Sequence, residues 1–368
     1  MKGLYIHIPF CEKKCKYCDF NSFCASIADK NQYITALIDE MEKYKGTKCD
    51  TVFMGGGTPT ALDTQNLFRV LEAINRNFVI SDKTEFTAEV NPKTVDENKL
   101  KMMLENGVNR LSVGVQSLND AELSAIGRIH SASDAEETIH MARKCGFENI
   151  SIDLMSALPN QTMESFSKTL EKAVKLNTEH ISCYSLILEE GTPLYKEYKN
   201  GKLILPDEDT EREMYEYACD FLKKNGYFQY EISNFAKPGK CSRHNLKYWN
   251  CDEYIGIGLS AHSYLDGVRF SNTGDFKQYI SGDYFSEERE VLSEKDKMSE
   301  YMFMGLRKTE GVSKTEFSKR FSAEMEEIFS KPVLKYKKWG MIIDENDFLQ
   351  LSKKAISVSN QIMCDFIL

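Results

Sequence analysis

Six short β-rich runs, at 3–8, 51–54, 85–90, 110–115, 150–154 and 180–186, alternate with segments of helical period. The segment 63–77 is representative, with Leu67, Val70, Leu71 and Ile74 at i, i+3, i+4 and i+7 on one helix face. Strand and helix repeated six times call for parallel pairing with right-handed crossovers, so the fold class is α/β, either a doubly wound sheet or an open or closed (β/α) barrel. Both architectures put ligands at the carboxyl ends of the strands. Between 191 and 290 the rhythm breaks: a helix at 211–224 precedes aromatic-rich and turn-rich sequence, which would extend the barrel or cover its mouth. From 291 the chain turns mainly helical, with a strand candidate at 340–343 and a last helix at 351–366, the outline of a small winged-helix-like domain. The expected division is therefore a core over 1–190, an extension or cover over 191–290 and a C-terminal helical domain over 291–368.

With 368 residues and 42% apolar content, the chain can bury a large core. No stretch approaches the ~20 apolar residues of a membrane span, and nothing at the N-terminus reads as a signal peptide, so no transmembrane segment and a cytoplasmic location are expected. The net charge is -9 with both signs interleaved, which argues against nucleic acid as a partner. Of the eleven cysteines, eight are scattered and read as small buried hydrophobes. The other three form a cluster.

Cys11, Cys15 and Cys18 give C-x3-C-x2-C in a polar loop directly after the first strand. Structural zinc sites usually bring two C-x2-C pairs, and no second pair occurs. Three thiolates on a [4Fe-4S] cubane leave one iron without a protein ligand and open to chelation by a small molecule. Lys13, Lys14 and Lys16 either offset the negative charge of such a cluster or remain solvated.

Read with GGGTPT at 55–60, the triad resembles the radical S-adenosylmethionine (SAM) superfamily, and the resemblance spans nearly the whole chain. It implies a partial (β/α)6 barrel holding a [4Fe-4S] cluster on the three cysteines, with SAM chelating the open iron. Tyr5, Gly56, Gly57, Thr58, Glu89 in AEVNP, Gln116 in VGVQS, Arg128 in GRIHSA and Asp153 in SIDLMSALP are the residues it assigns to SAM. Their chemistry suits that ligand, with arginine for a carboxylate, Gln116 and Asp153 for ribose hydroxyls, and Glu89 for a cation or hydroxyl. Ala157 stands where relatives carry glycine, restricting that turn without removing a ligand.

Within the superfamily, YIHIPFC, CDFNSF, AEVNP and YEISNFA resemble the oxygen-independent coproporphyrinogen III oxidase family. Its true dehydrogenases continue the cysteine motif with C-x-C and carry an N-terminal extension; here Cys18 is followed by Asp19 and Phe20, and the first strand begins at Gly3. The haem chaperone branch, of HemW type, shares CDF and a His-Asn-x-x-Tyr-Trp string, here HNLKYW from His244 to Trp249. That resemblance implies haem as a further cofactor, with His244 as its ligand and Tyr248 and Trp249 as aromatic surface; His262 in GLSAHSY is the other candidate ligand. His7 is expected to orient the cluster loop. The function implied is a haem chaperone that delivers haem to acceptor proteins such as respiratory cytochromes, served by an electron donor. The rival is a radical enzyme that uses cluster and SAM to abstract hydrogen from a porphyrinogen propionate.

Overall fold

A computed structural model describes all residues, 1–368. The six expected strands form as β1 (Lys2–Ile8), β2 (Cys49–Gly56), β3 (Glu85–Val90), β4 (Arg110–Gln116), β5 (Ile150–Ser156) and β6 (His180–Ser185), each parallel to its predecessor. Helices connect them. The helix Thr64–Asn77 takes its N-cap from Asp63, whose carboxylate accepts from the Asn66 amide, and it buries Leu67, Val70, Leu71 and Ile74 as the periodicity requires.

Side chains alternate across each strand. Leu4, Ile6 and Ile8 of β1, Val52 and Met54 of β2 and Leu111, Val113 and Val115 of β4 point outward into one apolar core beneath the helices. At roughly 1.5–3 kcal/mol per fully buried side chain, this layer dominates stability. The opposite positions are polar: Thr51, Glu85, Thr87, Arg110, Ser112, Ser151, Asp153 and His180. Parallel sheets covered on both faces are ordinarily apolar throughout, so a polar inner face marks an interior kept for ligands and internal hydrogen bonds.

The region after β6 lengthens the sheet at both edges. The strands β7 (Phe228–Glu231) and β8 (Asn234–Ala236) add beyond β6, and β9 (Tyr254–Ile257), β10 (His262–Leu265), β11 (Val268–Asn272) and β12 (Phe285–Val291) add beyond β1. The result is one twelve-stranded mixed sheet, parallel from β9 through β1 to β6 and antiparallel outside. This region, read from the sequence as an extension or a cover, thus contributes strands to both edges of the sheet.

The C-terminal module has its own core of fifteen buried residues, from Met302 to Phe366. It is less helical than its sequence suggests. The expected strand at 340–343 forms two residues later as β14 (Ile342–Glu345), inside a three-stranded sheet with β13 (Val312–Ser313) and β15 (Phe348–Leu351). The long last helix is a second correction: a 3-10 segment, Lys353–Val358, precedes a short helix, Ser359–Cys364. Asn346, in the left-handed region at φ 53°, makes the tight β14–β15 turn that helical periodicity alone does not reveal.

Candidate functional site

The carboxyl ends of β1 to β6 surround a cavity lined by Cys11, Cys15, Cys18, Gly56, Gly57, Thr58, Glu89, Gln116, Arg128 and Asp153. Ten residues expected at the site from sequence thus meet in one place. The cluster loop is held by bonds from several directions. Cys11 N–H donates to the Phe23 carbonyl, Lys16 N–H to the Ile126 carbonyl, and the His7 ring contacts the Asn21 carbonyl at 3.1 Å, which is the orienting role expected of His7. Lys16 is committed to Glu197 at 2.8 Å, and Lys14 donates to the Phe20 carbonyl at 2.7 Å. The scattered cysteines divide: Cys49 and Cys183 are buried as expected, whereas Cys24 and Cys364 are exposed.

No three thiol, imidazole or carboxylate groups converge closely enough to share one metal ion. The triad instead rings a space, as it must if each thiolate meets a different iron of a cubane. Burial pushes the Cys11 and Cys18 thiols up, a cost that coordination to iron reverses because a bound thiolate no longer has to be charged alone. Thr58 Oγ1 lies 3.7 Å from Cys11 Sγ, and Arg128 Nη1 lies 3.5 Å from Cys15 Sγ. These residues fit an iron-sulfur centre.

The glycine turn is sterically required. Gly56 has φ 107°, and a Cβ there would lie 2.4 Å from the His7 ring; a Cβ on Gly57 would lie 2.7 Å from the Phe10 carbonyl oxygen. The Gly56 amide donates to Glu89 Oε2 at 3.1 Å. Burial, and then the neighbouring Asp153 carboxylate, raises Glu89 to about 8. Burial also raises Asp153, offset by Ser182, Arg110 and Ser112. Two buried carboxylates facing one cavity suit a ligand that brings cationic groups, and SAM carries an ammonium and a sulfonium. Across the cavity, Arg128 donates to Asn91 Oδ1 at 2.7 Å and to the Gly114 carbonyl, while its buried Nε has no partner. That orphan donor fits a carboxylate.

Several lining residues lie outside the motifs that sequence singles out: Tyr17, Asn91, Ser112 and Tyr184. Parity was an available signal for two of them, since Asn91 is two residues past Glu89 and Ser112 is four before Gln116. Tyr184 donates to Gln116 Oε1 at 3.0 Å, and Gln116 itself sits at φ 66°, a strained backbone at the lip of the pocket.

Two expected residues lie elsewhere. Tyr5 is on the inner face below the cavity, its hydroxyl 2.9 Å from His7 Nδ1. His244 is at the opposite end of the barrel, where the helix Arg243–Trp249 forms a floor. Glu85 accepts the Arg243 and His244 amides at 3.0 and 2.9 Å, fixing that helix beneath β3. The His244 ring is buried, stacked on Phe53, with Nδ1 2.9 Å from Thr51 Oγ1 and Nε2 2.9 Å from the Tyr248 hydroxyl. Burial, followed by the Lys247 and Arg110 charges, lowers it to about 3. Both nitrogens are thus engaged within the protein, and no face of the ring meets solvent. Tyr248 packs edge-on against Tyr254, and the Arg307 guanidinium stacks on Trp249 at 4.4 Å, so the motif joins the barrel floor to the C-terminal module.

A three-cysteine loop and a glycine turn meeting at the mouth of a six-strand parallel barrel define a class, and known families agree with it. The model of the Radical SAM superfamily matches residues 5–173, and that of the HemN C-terminal domain matches 292–358. "Heme chaperone HemW" of Lactococcus lactis is 39% identical, with 99% of this chain and 97% of that protein covered. The protein of the same name in Bacillus subtilis is 40% identical over 100% and 99% of the two chains. The solved structure titled "Coproporphyrinogen III oxidase (HemN) from Escherichia coli is a Radical SAM enzyme" superposes with a TM-score of 0.87 at 22% identity, covering 99% of this chain and 89% of that one, a likeness of fold. The chain belongs to the radical SAM superfamily and, within it, to the family of the HemW heme chaperones. Membership of the superfamily implies a [4Fe-4S] cluster and SAM. No helix is long and apolar enough to cross a membrane.

Proposed function

We propose that this protein is a haem chaperone: it binds haem, holds SAM on a [4Fe-4S] cluster ligated by Cys11, Cys15 and Cys18, and passes haem to acceptor proteins. The observation that carries the reading is similarity over essentially the full length to proteins named heme chaperone. In this reading Gly56, Gly57, Thr58, Glu89, Gln116, Arg128 and Asp153 bind SAM, and Tyr5 supports that pocket through His7. Cluster and SAM together supply one-electron chemistry when bound. An electron donor serves the cluster, and respiratory cytochromes are the acceptor class. The protein works in the cytoplasm, its residues 1–190, 191–290 and 291–368 acting as core, sheet extension and C-terminal domain.

The test mixes anaerobically reconstituted protein with hemin and, separately, with coproporphyrinogen III, SAM and a strong reductant. Stoichiometric hemin binding without protoporphyrinogen formation is the expected result. Decarboxylation at a rate proportional to protein would replace the chaperone with the porphyrinogen enzyme.

A further inference from the structure

A protein ligand to haem iron needs an imidazole with a free nitrogen, on a rigid element, opening to a space that admits a porphyrin. Among the six histidines, His7, His180 and His244 have both ring nitrogens bonded inside the protein, to Tyr5 and Asn21, to Ser151 and Tyr230, and to Thr51 and Tyr248. His130 is buried against the Val115 carbonyl. His140 is exposed, but on the outer face of the helix Ala132–Cys145, whose opposite face carries Ala135, Ile139 and Ala142 into the core. That leaves His262, which is exposed and makes no hydrogen bond through its ring.

Register shows where His262 sits. The strand β9 runs parallel to β1 with Gly256 opposite Tyr5, and β10 returns antiparallel with Tyr264 opposite Tyr254. Two residues along, His262 therefore stands beside Gly256, which is glycine because a Cβ there would lie 2.1 Å from the His262 carbonyl oxygen. Tyr254 meets Tyr248 inside the barrel, so its register partner Tyr264, and with it His262, belong to the inner face. His262 is at the mouth end of that face: β10 begins there, just after Ser260, whose hydroxyl accepts from Asn21 Nδ2 at 2.6 Å.

The residue before Asn21 is Phe20, which lines the cluster cavity yet exposes 62% of its surface. A bonded contact between Asn21 and Ser260 thus ties an exposed phenyl to the segment that presents an unengaged imidazole. Lys13 and Lys14 are exposed on the same loop. An apolar ring, an iron ligand and cationic groups for carboxylates are the three contacts haem requires.

We propose that haem binds at the barrel mouth with the His262 imidazole as the iron's protein ligand and Phe20 against the porphyrin face. The assignment rests on the haem-binding reading above and makes it specific: cargo and cluster share one end of the barrel, and HNLKYW is the floor at the other. Hemin is titrated into the full-length, cluster-loaded protein and followed by the Soret difference spectrum and haem electron paramagnetic resonance, with iron-sulfur content as the control for folding. His262→Ala and His262→Gln should each weaken hemin binding at least tenfold and shift the Soret band, with the band restored by added imidazole. His140→Ala should match wild type, and Phe20→Ala should lower affinity with little spectral shift. Wild-type spectra and affinity in both His262 variants would overturn the site while leaving haem binding intact. Failure of the wild-type protein to bind hemin would overturn the functional reading and the site together.

Discussion

The two ends of the barrel are built from the same material and finished differently. At the floor, most polar groups brought inside find fixed partners: Glu85 takes two backbone amides, Lys247 meets Asp50 at 2.8 Å, and His244 and His180 use both ring nitrogens, while the buried Nε of Arg110 is the exception among the charges. At the mouth, Glu89 and Asp153 share a cavity with no cation bonded to either, the buried Nε of Arg128 has no acceptor, and Phe20 is largely exposed. A satisfied polar interior rigidifies, whereas an unsatisfied one carries a penalty that a matching ligand removes. The contrast separates support from function within one continuous sheet.

The sharpest break in that contrast comes from the triad. Cys15→Ala should take the iron of anaerobically reconstituted protein from about four atoms per chain to nearly none, because two thiolates do not retain a cubane. Iron and sulfide analysis measures it, and stoichiometric zinc in wild-type protein would remove the mouth's assigned role.

Titration distinguishes the ends next. Burial and then Asp153 raise Glu89 from an ordinary 4.5 to about 8, so the folded, ligand-free protein keeps a proton that the unfolded chain releases. Folding therefore binds a proton in that window, and stability falls as pH rises from about 5 to 8, by up to about 4 kcal/mol. Urea denaturation of the cluster-free protein should show this slope, and Glu89→Gln should flatten it. An unchanged slope in the variant would assign the effect to other groups.

His244→Ala tests the floor. Removing a buried, stacked ring leaves the Thr51 and Tyr248 hydroxyls without partners and should cost about 3 kcal/mol in denaturant unfolding. Iron content should stay at the wild-type level, since the cluster loop is at the far end. Loss of the cluster with unchanged stability would reverse the contrast.

Arg128→Ala probes the mouth without touching a thiolate. The SAM-induced change in the electron paramagnetic resonance spectrum of the reduced cluster should need about tenfold more SAM, equivalent to about 1.4 kcal/mol, with iron retained. If the cluster itself were lost, the 3.5 Å contact to Cys15 would be its main role.

The smallest effect is conformational. Ala157 adopts φ 56°, a left-handed position that disfavours a Cβ by about 1 kcal/mol. Ala157→Gly should stabilise by about 0.5 kcal/mol after the added entropy of the unfolded glycine is counted, measured as a small rise in denaturation midpoint.

Local pattern accounts for what could be read in advance. Strand alternation and helical period depend on neighbours within a few residues, so β1 to β6 and the helix after Asp63 were legible, whereas the four-residue β9, parallel to β1, was not. The triad was legible for the same reason, its three cysteines lying within one loop. The side chains around that loop arrive from 58 to 184, and only their order at strand ends hinted at convergence. In the C-terminal module, β13 and β15, two and four residues long, leave too little alternation to detect, and only β14 was anticipated, two residues early.

Contiguous residues suffice to specify the barrel core, the thiol loop at its mouth and the glycine turn beside it, because in each the spacing along the chain carries the chemistry. Packing alone sets the buried ring of His244 apart from the exposed ring of His262. HNLKYW and GLSAHSY are both aromatic segments with one histidine, and nothing local tells which imidazole will be buried and bonded and which left exposed. The difference arises when Thr51 and Glu85, more than 150 residues upstream, meet the first helix and occupy its imidazole and amides. The return of β10 beside β9 leaves the second imidazole facing solvent. Hydrogen-bond satisfaction depends on which groups the fold brings within about 3 Å, and that is a property of packed strands, not of a motif.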